Sequence, residues 1–351
     1  MNSDCLKLTI YFGERDRAGG SFLADALLDL FERERLATSV LLRAAEGFGE
    51  KQRLQTARLL SLSEDLPVVA VAVDARERIQ ALLPEVESVM GDGLVTLERA
   101  RLLGHSPVDG GELSGPTKLT VYCGRSEPVL ELVELLHRRG VAGATALLGV
   151  DGTAHGERRR ARFLGRNADV PLMVISVGDG ARMAEVLPEI GSLLRRPLVT
   201  LERVTVCRRD GEAVADPPEL PTRDPGTGLG VWQKLMVYTS EQARHGRHPL
   251  HVALIRRLRE EGASGATALR GFWGYHGDHA PHGDRLLSLR RHVPVVTVVV
   301  DTPERTRRWL EVVSELTGET GLVTSEMVPA FRATGPGLVA GGLDLSGPLA
   351  P

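Results

Sequence analysis

The chain has 351 residues, of which 42% are hydrophobic and 25% are charged, and its formal net charge is -3. This composition is that of a globular protein, and the charge balance excludes a strongly basic surface for nucleic acid or an anionic membrane. Cys5, Cys123 and Cys207 are too widely spaced to suggest a disulfide framework, which favours a reducing cytoplasm. Apolar runs fall short of the about 20 residues that cross a bilayer, and the N-terminus has no signal-peptide pattern. We therefore expect no membrane insertion.

The first 103 residues predict alternating strands and helices. A strand at 7–11 (KLTIY) precedes a helix whose apolar residues recur every three or four positions from 22 to 31. A strand at 40–42, a polar loop around 47–49 (GFG), an apolar strand at 68–73 and a helix ending at 91–93 (GDG) follow. The series closes with a strand at 94–99 (LVTLER). The order is βαββαβ, the ferredoxin-like split βαβ plan.

The same anchors recur twice further along the chain. The opening strand returns at 118–122 (KLTVY) and 234–238 (KLMVY), and the closing strand returns at 198–203 (LVTLER) and 322–327 (LVTSEM). Repeats this long indicate tandem domains. We predict an α+β chain with domains at 1–103, 118–207 and 234–331, irregular Gly/Pro-rich connectors at 104–117 and 208–233, and a disordered tail at 332–351.

The proline-led strand of each repeat does not alternate between apolar and polar residues. Residues 68–73 (VVAVAV) are apolar throughout, and 295–300 (VVTVVV) are nearly so. Strands that are buried on both faces have this pattern. We therefore predict that the three sheets pack against one another as a pseudo-trimer within one chain. The alternative is that each apolar strand faces only the loops of its own repeat.

These motifs resemble those of a PII-like bacterial family labelled domain of unknown function 190. The resemblance rests on 265–271 (GATALRG), the glycine and aromatic loop after it, 293–296 (VPVV) and the helix entry at 245–250 (HGRHPL). It is good in repeat 1, whereas repeat 2 has LGVDG at 148–152 where the loop motif is expected. The resemblance implies ferredoxin-like domains that form a trimer, with ligand clefts between them and a protruding loop after the second strand. Three copies in one chain would then be a fused trimer, acting as a monomer or as a small multiple of it.

The resemblance also implies where a ligand is held. In PII proteins a Gly-Asp-Gly-Lys turn before the last strand binds nucleotide phosphate; here Leu94 follows Gly91-Asp92-Gly93 in place of the lysine. Backbone amides in such a turn can still hold an anion. We expect a nucleotide or another small anion to contact Arg43, Gly47, Gly49, Gly91, Gly93, Arg270, Gly271 and Gly274.

An alternative site is a histidine cluster in the loop of repeat 3. His276, His279 and His282 are three residues apart, and imidazoles suit divalent metals such as zinc or nickel. This pattern predicts a metal-binding or metal-homeostasis protein. A solvated polar loop without metal is the competing interpretation.

Two further patterns carry less chemistry. Residues 157–162 (ERRRAR) form a basic cluster that could bind phosphate or could be a solvated loop. Carboxylates or nucleophiles in a catalytic arrangement do not recur among the repeats, so we expect no enzymatic activity. The sequence therefore predicts a cytoplasmic PII-like signalling protein that binds a small anionic ligand between repeats and acts through its loops on a partner protein.

Overall fold

A computed structural model describes residues 3–49, 52–56, 66–102, 115–161, 169–223, 231–277, 279–283, 293–334 and 338–341. Within these residues the protein is an α+β structure with six helices and antiparallel strand pairs. None of the described helices has both the length and the apolar character needed to span a bilayer.

The three repeats share one order of long strands and helices, and repeats 1 and 3 add a short strand pair before their first helix. Repeat 1 comprises β1 (Ser3–Gly13), β2 (Arg17–Ala18), β3 (Ser21–Phe22), α1 (Leu23–Arg33), β4 (Thr38–Arg43), β5 (Glu46–Phe48), β6 (Gln55–Thr56), β7 (Pro67–Ala75), α2 (Arg76–Val89) and β8 (Asp92–Leu102). Repeat 2 comprises β9 (Pro116–Gly124), α3 (Val129–Arg138), β10 (Gly143–Leu148), β11 (Asp151–Ala154), β12 (Glu157–Arg158), β13 (Pro171–Asp179), α4 (Gly180–Leu193) and β14 (Leu198–Arg203).

A hairpin of β15 (Thr205–Arg209) and β16 (Glu212–Ala213) follows repeat 2, within a stretch predicted to be irregular from residue 208. Repeat 3 comprises β17 (Val231–Ser240), β18 (Arg244–His245), β19 (His248–Pro249), α5 (Leu250–Glu260), β20 (Ala266–Arg270), β21 (Trp273–His276), β22 (His282–Gly283), β23 (Pro294–Asp301), α6 (Pro303–Thr317), β24 (Leu322–Thr334) and β25 (Leu338–Gly341). Residues 332–334 and 338–341 of the predicted tail thus lie in strands, and 342–351 lie outside the described residues.

The strand order is the same in each repeat. It is β4-β7-β1-β8 in repeat 1, β10-β13-β9-β14 in repeat 2 and β20-β23-β17-β24 in repeat 3, with antiparallel neighbours throughout. One face of each sheet carries the two helices of its repeat. In α1, for example, Leu23, Leu27, Leu30 and Phe31 recur at helical spacing and are buried against that face.

The opposite faces of the sheets share one apolar cluster. It contains Val69, Val71 and Val73 of β7, Met173 and Ile175 of β13, and Val296 and Val298 of β23, all buried. The proline-led strands are therefore buried on both sides, as their lack of alternation predicts.

Strands of one repeat also pair with those of the next. The end of β8 continues beside β14, β15 pairs with β24, and the end of β24 pairs with β8. The short strand after the second long strand of each repeat also pairs with a neighbouring repeat. β5 of repeat 1 pairs with β20 of repeat 3, β11 of repeat 2 with β4 of repeat 1, and β21 of repeat 3 with β10 of repeat 2. Each repeat is thus hydrogen-bonded to both others.

Candidate functional site

A cavity of about 220 Å³ lies between repeats 1 and 3. Repeat 1 supplies the end of β1, the segment after β5 and the start of β8, while repeat 3 supplies the start of β17, the α5–β20 loop and β23. The side chains and backbone that line it belong to Tyr11, Phe12, Gly13, Asp16, Phe48, Gly49, Arg53, Gln55, Pro67, Asp92, Gly93, Leu94, Trp232, Ser264, Gly265, Ala266, Thr267, Val298 and Val300.

Pairing of β5 with β20 forms one wall of this cleft. Gly47 lies opposite Thr267, and a Cβ at Gly47 would be 2.6 Å from the carbonyl oxygen of Ala266. Only glycine allows the two backbones to approach this closely. Gln52 then donates through Nε2 to the carbonyl oxygen of Ala263 at 2.8 Å, which fixes the following segment on repeat 3.

The start of β8 forms the opposite rim. Gly93 has φ +131, and a Cβ there would be 2.4 Å from the carbonyl oxygen of Tyr11, so this position requires glycine. Asp16 accepts a hydrogen bond from the backbone N–H of Gly13 at 2.7 Å and fixes the end of β1.

The α5–β20 loop is held by a buried carboxylate. Asp301, which is 1% exposed, accepts from the backbone N–H and the hydroxyl of Ser264, both at 3.2 Å, and from Nε1 of Trp309 at 3.0 Å. Asp74 of repeat 1 accepts similarly from the N–H of Ala37 at 2.8 Å, whereas repeat 2 has Gly178 at this position. The wall formed by Ser264 is therefore preorganised by the core of repeat 3.

The cavity combines aromatic walls with polar groups of both charges. Trp232 is buried at 5% exposure, and Tyr11 is partly exposed at the cavity surface. Burial and the neighbouring Glu98 raise the pKa of Tyr11, so its phenol remains neutral. Arg53 is exposed and forms no ion pair with a described residue, while Asp16 and Asp92 supply carboxylates. This lining suits a ligand with a planar ring, hydrogen-bond donors and an anionic group.

A buried network of charges lies beside the cleft, where the three repeats meet. Each repeat contributes one lysine from its first strand and one glutamate from its last, in register across the pair: Lys7 with Glu98, Lys118 with Glu202, and Lys234 with Glu326. All six are at most 6% exposed. Their formal charges cancel, which meets the requirement that buried charges be paired.

Contacts in this network cross between repeats. Glu98 contacts the ammonium groups of all three lysines, including Lys234 at 2.7 Å. Lys118 Nζ lies 2.8 Å from Glu202 and 2.5 Å from Glu326. The three carboxylates converge within 4.8 Å of one another, as metal ligands can, but the lysines already neutralise them. We interpret this cluster as a salt-bridge centre.

The network shifts the pKa values of its members. Burial alone would raise the pKa of Glu98, but Lys234, Lys7 and Lys118 outweigh it and hold that pKa well below its usual value. Burial alone would lower the pKa of Lys118, but Glu202, Glu326 and Glu98 hold it well above its usual value. Both groups therefore remain charged at neutral pH.

The predicted ligand-binding residues are divided between several places. Gly49 and Gly93 line the cleft, and Gly47 lies in the adjoining strand. Gly91 is exposed with open space around it. Arg43 forms an ion pair with Glu14, and Arg270 forms one with Glu241 at 2.7 Å.

Gly271 and Gly274 do not lie in an exposed loop. They are buried where repeat 3 meets repeat 2, and a Cβ at Gly274 would be 2.3 Å from the carbonyl oxygen of Ala144. The expectation of a protruding loop was wrong for residues 273–276, because these residues pair with β10. The same close approach occurs at Gly152 in repeat 2, so the loop motif of repeat 2 is preserved in backbone geometry.

The three histidines have different surroundings. His276 is buried in β21 with Nδ1 3.9 Å from Asp210, and burial followed by repulsion from His279 lowers its pKa. His279 is exposed, and its ring meets that of His276 edge to face with centroids 5.3 Å apart. His282 Nδ1 is 2.9 Å from the carbonyl oxygen of Ala280. Among the described residues, these imidazoles do not converge as the three glutamates do.

Arg158 of the basic cluster joins repeat 2 to repeat 1. Its guanidinium contacts Asp151 of its own hairpin at 2.8 Å, Asp25 of α1 at 2.9 Å, and Asp29 of α1. The side chain is 14% exposed. These carboxylates meet the bonding capacity of the guanidinium, so this residue acts as a clamp between repeats.

We expect Arg158→Ala to lower the free energy of unfolding by about 2 kcal/mol, because it removes charge-assisted hydrogen bonds to three carboxylates. Arg159→Ala is the matched control, since Arg159 is exposed and its side chain bonds, among the described residues, to Glu157 alone, at 2.5 Å. Its effect should stay below about 0.5 kcal/mol. Urea unfolding followed by circular dichroism measures both, and equal effects would show that Arg158 does not clamp the repeats.

Sequence reasoning missed several residues of the cleft. Trp232 precedes the opening lysine of repeat 3 by two positions, where repeats 1 and 2 have Cys5 and Pro116, so no repeated motif marks it. Arg53 follows the glycine motif by a few residues in a segment without periodicity. A sequence signal for Arg53 does exist, because two basic residues, Lys51 and Arg53, follow the glycine motif closely.

A family model matches the chain three times, at residues 5–102, 117–206 and 232–330. The family is domain of unknown function 190 (DUF190), described as Uncharacterized ACR. Since these matches cover most of the chain, the protein belongs to the DUF190 family and contains three tandem copies of its domain.

The other comparisons add little. A search of curated proteins finds no match. Among solved structures, the crystal structure of aspartate kinase from Synechocystis is similar at a TM-score of 0.21 and 10% sequence identity, over 94% of this chain and 45% of that one. This chain thus spans less than half the length of that protein, and a TM-score this low supports no conclusion about fold or function.

Proposed function

We propose that the protein is a PII-like signalling protein that binds a small ligand in the cleft between repeats 1 and 3 and acts on a partner protein through its loops. Each repeat would be a ferredoxin-like domain, and the three would pack as a pseudo-trimer. The observation that carries this proposal is the cavity between repeats, which is lined by Asp92 and Gly93 at the start of β8, by the exposed Arg53 and by aromatic side chains.

The contacts among repeats support the pseudo-trimer. Strand pairing runs from each repeat to both others, the inner sheet faces share one apolar cluster, and equivalent lysines and glutamates meet in one buried network. A chain folded as three separate domains would leave these apolar faces and charges exposed to water. Three copies arranged around an axis bury all of them.

The lining supports a ligand of mixed character. One guanidinium and two carboxylates give the charged side chains of the cleft a net charge of about -1, so a purely anionic ligand would be opposed. A nucleotide combines an anionic group for Arg53 with a planar base whose donors can reach Asp16, Asp92 or Thr267. The sequence predicted a nucleotide or another small anion, and we now propose more narrowly an anion that carries a planar ring.

At the other two interfaces, described side chains bond directly across the boundary between repeats, and one ligand per chain is therefore part of the proposal. Between repeats 1 and 2, the buried Ser39 hydroxyl accepts from the N–H and the hydroxyl of Thr153, both at 2.9 Å. Between repeats 2 and 3, the Tyr275 hydroxyl donates to the carbonyl oxygen of Val141 at 3.0 Å. The β15–β16 hairpin also contacts this side of repeat 3, where the N–H of Asp210 donates to Gly321 at 2.8 Å.

The test is a thermal-shift screen with ATP, ADP, cyclic AMP, inorganic phosphate, zinc and nickel, followed by calorimetry. We expect a nucleotide to stabilise the protein by about 2.7 kcal/mol at a hundredfold excess over its Kd, with one molecule bound per chain. Arg53→Ala should weaken that binding about tenfold, because a charge-assisted hydrogen bond is lost.

Arg138→Ala serves as the control, since Arg138 is exposed at the end of α3 in repeat 2, away from the cleft. The proposal fails if Arg53→Ala and Arg138→Ala bind a nucleotide with equal affinity, or if only zinc or nickel stabilises the protein. Three molecules bound per chain would contradict the single-cleft assignment.

A further inference from the structure

A second, open depression adjoins the cleft on the outer side of the segment 52–55. Its cavity volume is about 630 Å³, and it lies between this segment of repeat 1 and the last turn of α5 in repeat 3. Its lining residues are Gln52, Leu54, Arg256, Arg259, Glu260 and Gly262. We call this depression the α5 groove.

The α5 groove carries an excess of positive charge. Arg256 and Arg259 form no ion pair with any described residue, and Arg259 is exposed. Their neighbour Arg257 is paired instead, 2.6 Å from Glu261. Two guanidiniums and one carboxylate, Glu260, lie on the α5 wall, and the apolar Leu54 lies on the opposite wall. This lining is complementary to a segment that has both acidic and apolar side chains.

The α5 groove shares a wall with the cleft. Residues 52–55 alternate, so that Arg53 and Gln55 line the cleft while Gln52 and Leu54 line the groove. From residue 53 onward this is the alternation of an extended segment, whose successive side chains point to opposite sides, whereas Gln52 lies in a turn at φ +53. A ligand that shifts the backbone at Arg53 would therefore also shift the side chains that face the groove.

We infer that the α5 groove is the docking site for an acidic, partly apolar peptide segment of a partner protein, and that the shared wall at 52–55 couples this docking to the cleft. The docking itself stands on the charge and shape of the groove. The coupling rests on the proposed function, because it requires a ligand in the cleft. A ligand changes docking only by binding the two arrangements of the wall with different affinity.

Docking is tested by fluorescence anisotropy with the intact protein and a short fluorescein-labelled peptide that alternates glutamate and leucine. We expect saturable binding that weakens as salt is added. The double variant Arg256→Glu/Arg259→Glu should weaken binding about tenfold, and Arg259→Gln should weaken it less. Arg138→Glu is the matched control, because it reverses an exposed charge at the end of the corresponding helix of repeat 2, and it should leave the affinity unchanged.

The inference is overturned if the acidic peptide does not bind, if a peptide with lysine in place of glutamate binds equally well, or if the double variant and Arg138→Glu have the same affinity. Coupling is tested by repeating the titration with saturating ATP, ADP or cyclic AMP, and the expected change in peptide affinity is about fivefold or more. An unchanged affinity with nucleotide bound overturns the coupling. If no nucleotide binds, the coupling falls with the proposed function, while the variant data still decide the docking.

Discussion

Lys118→Met should lower the free energy of unfolding by about 3–5 kcal/mol, the range expected when one partner is removed from a buried ion network. Lys118 is 1% exposed and contacts Glu98, Glu202 and Glu326, which come from all three repeats. Its loss leaves three buried carboxylates with two lysines. Urea unfolding at pH 7, followed by far-ultraviolet circular dichroism, measures the change.

A comparison variant separates the loss of charge from a general effect of mutation. Arg139→Met removes a cation whose side chain is 52% exposed and which lies 2.7 Å from Glu189. An exposed ion pair contributes at most about 1 kcal/mol. If Lys118→Met costs no more than Arg139→Met, the central network does not hold the repeats together.

The effect of Lys118→Met should also depend on pH. The folded-state pKa of Glu98 is lowered, so its contribution is present above the unfolded pKa of about 4.3 and is lost as pH falls through the lower folded value. The folded-state pKa of Lys118 is raised, so its contribution is present below about 10.4 and is lost as pH rises through the higher folded value. In Lys118→Met one carboxylate can take up a proton, so the difference from wild type should shrink between pH 7 and pH 4.

Gly274→Ala should destabilise the protein by about 1–3 kcal/mol or more, because the new methyl group has no room. It would lie 2.3 Å from the carbonyl oxygen of Ala144 and 2.9 Å from Pro294, so the pairing of β21 with β10 would have to shift. Gly152→Ala should have a similar effect, since its methyl group would lie 2.1 Å from the carbonyl oxygen of Ser39. The midpoint of urea unfolding reports both changes.

Gly49→Ala is the control for these two variants, because Gly49 belongs to the corresponding glycine motif of repeat 1 but has room for a methyl group. A Cβ at Gly49 meets nothing within 4 Å, so alanine should leave stability unchanged or raise it by about 0.4–1 kcal/mol through the unfolded chain. A Gly274→Ala protein as stable as Gly49→Ala would show that Gly274 is not required for contact between the repeats.

The sequence predicted the repeated elements because each long strand and helix has its own local period. The openers at Lys7, Lys118 and Lys234 marked the repeats correctly, yet nothing local distinguishes these lysines from exposed ones. Their burial depends on glutamates that lie about a hundred residues away or in another repeat. The strand register that places each lysine opposite a glutamate can be recognised only when the sheets are assembled.

The cleft was harder to predict for a similar reason. Gly49 and Gly93 of the glycine motifs line it, but β5 is a strand of three residues that pairs with β6 of its own repeat and with β20 of repeat 3. A strand so short has no period of its own, so Gly47 and Gly274 were assigned to loops. Trp232 of repeat 3 forms another wall, and the other repeats have no tryptophan at the corresponding position.

The pairing of β24 with β8 has a consequence for the order of folding. Ala330 to Thr334 lie beside Thr96 to Asp92, so the edge of the first sheet is completed by residues synthesised more than two hundred positions later. The short strand β5 likewise finds one of its two partners, β20, only in repeat 3. Contacts of such high sequence separation form slowly. A nascent chain with two finished repeats thus carries open strand edges and an uncovered apolar face, and it completes its fold only when the third repeat leaves the ribosome.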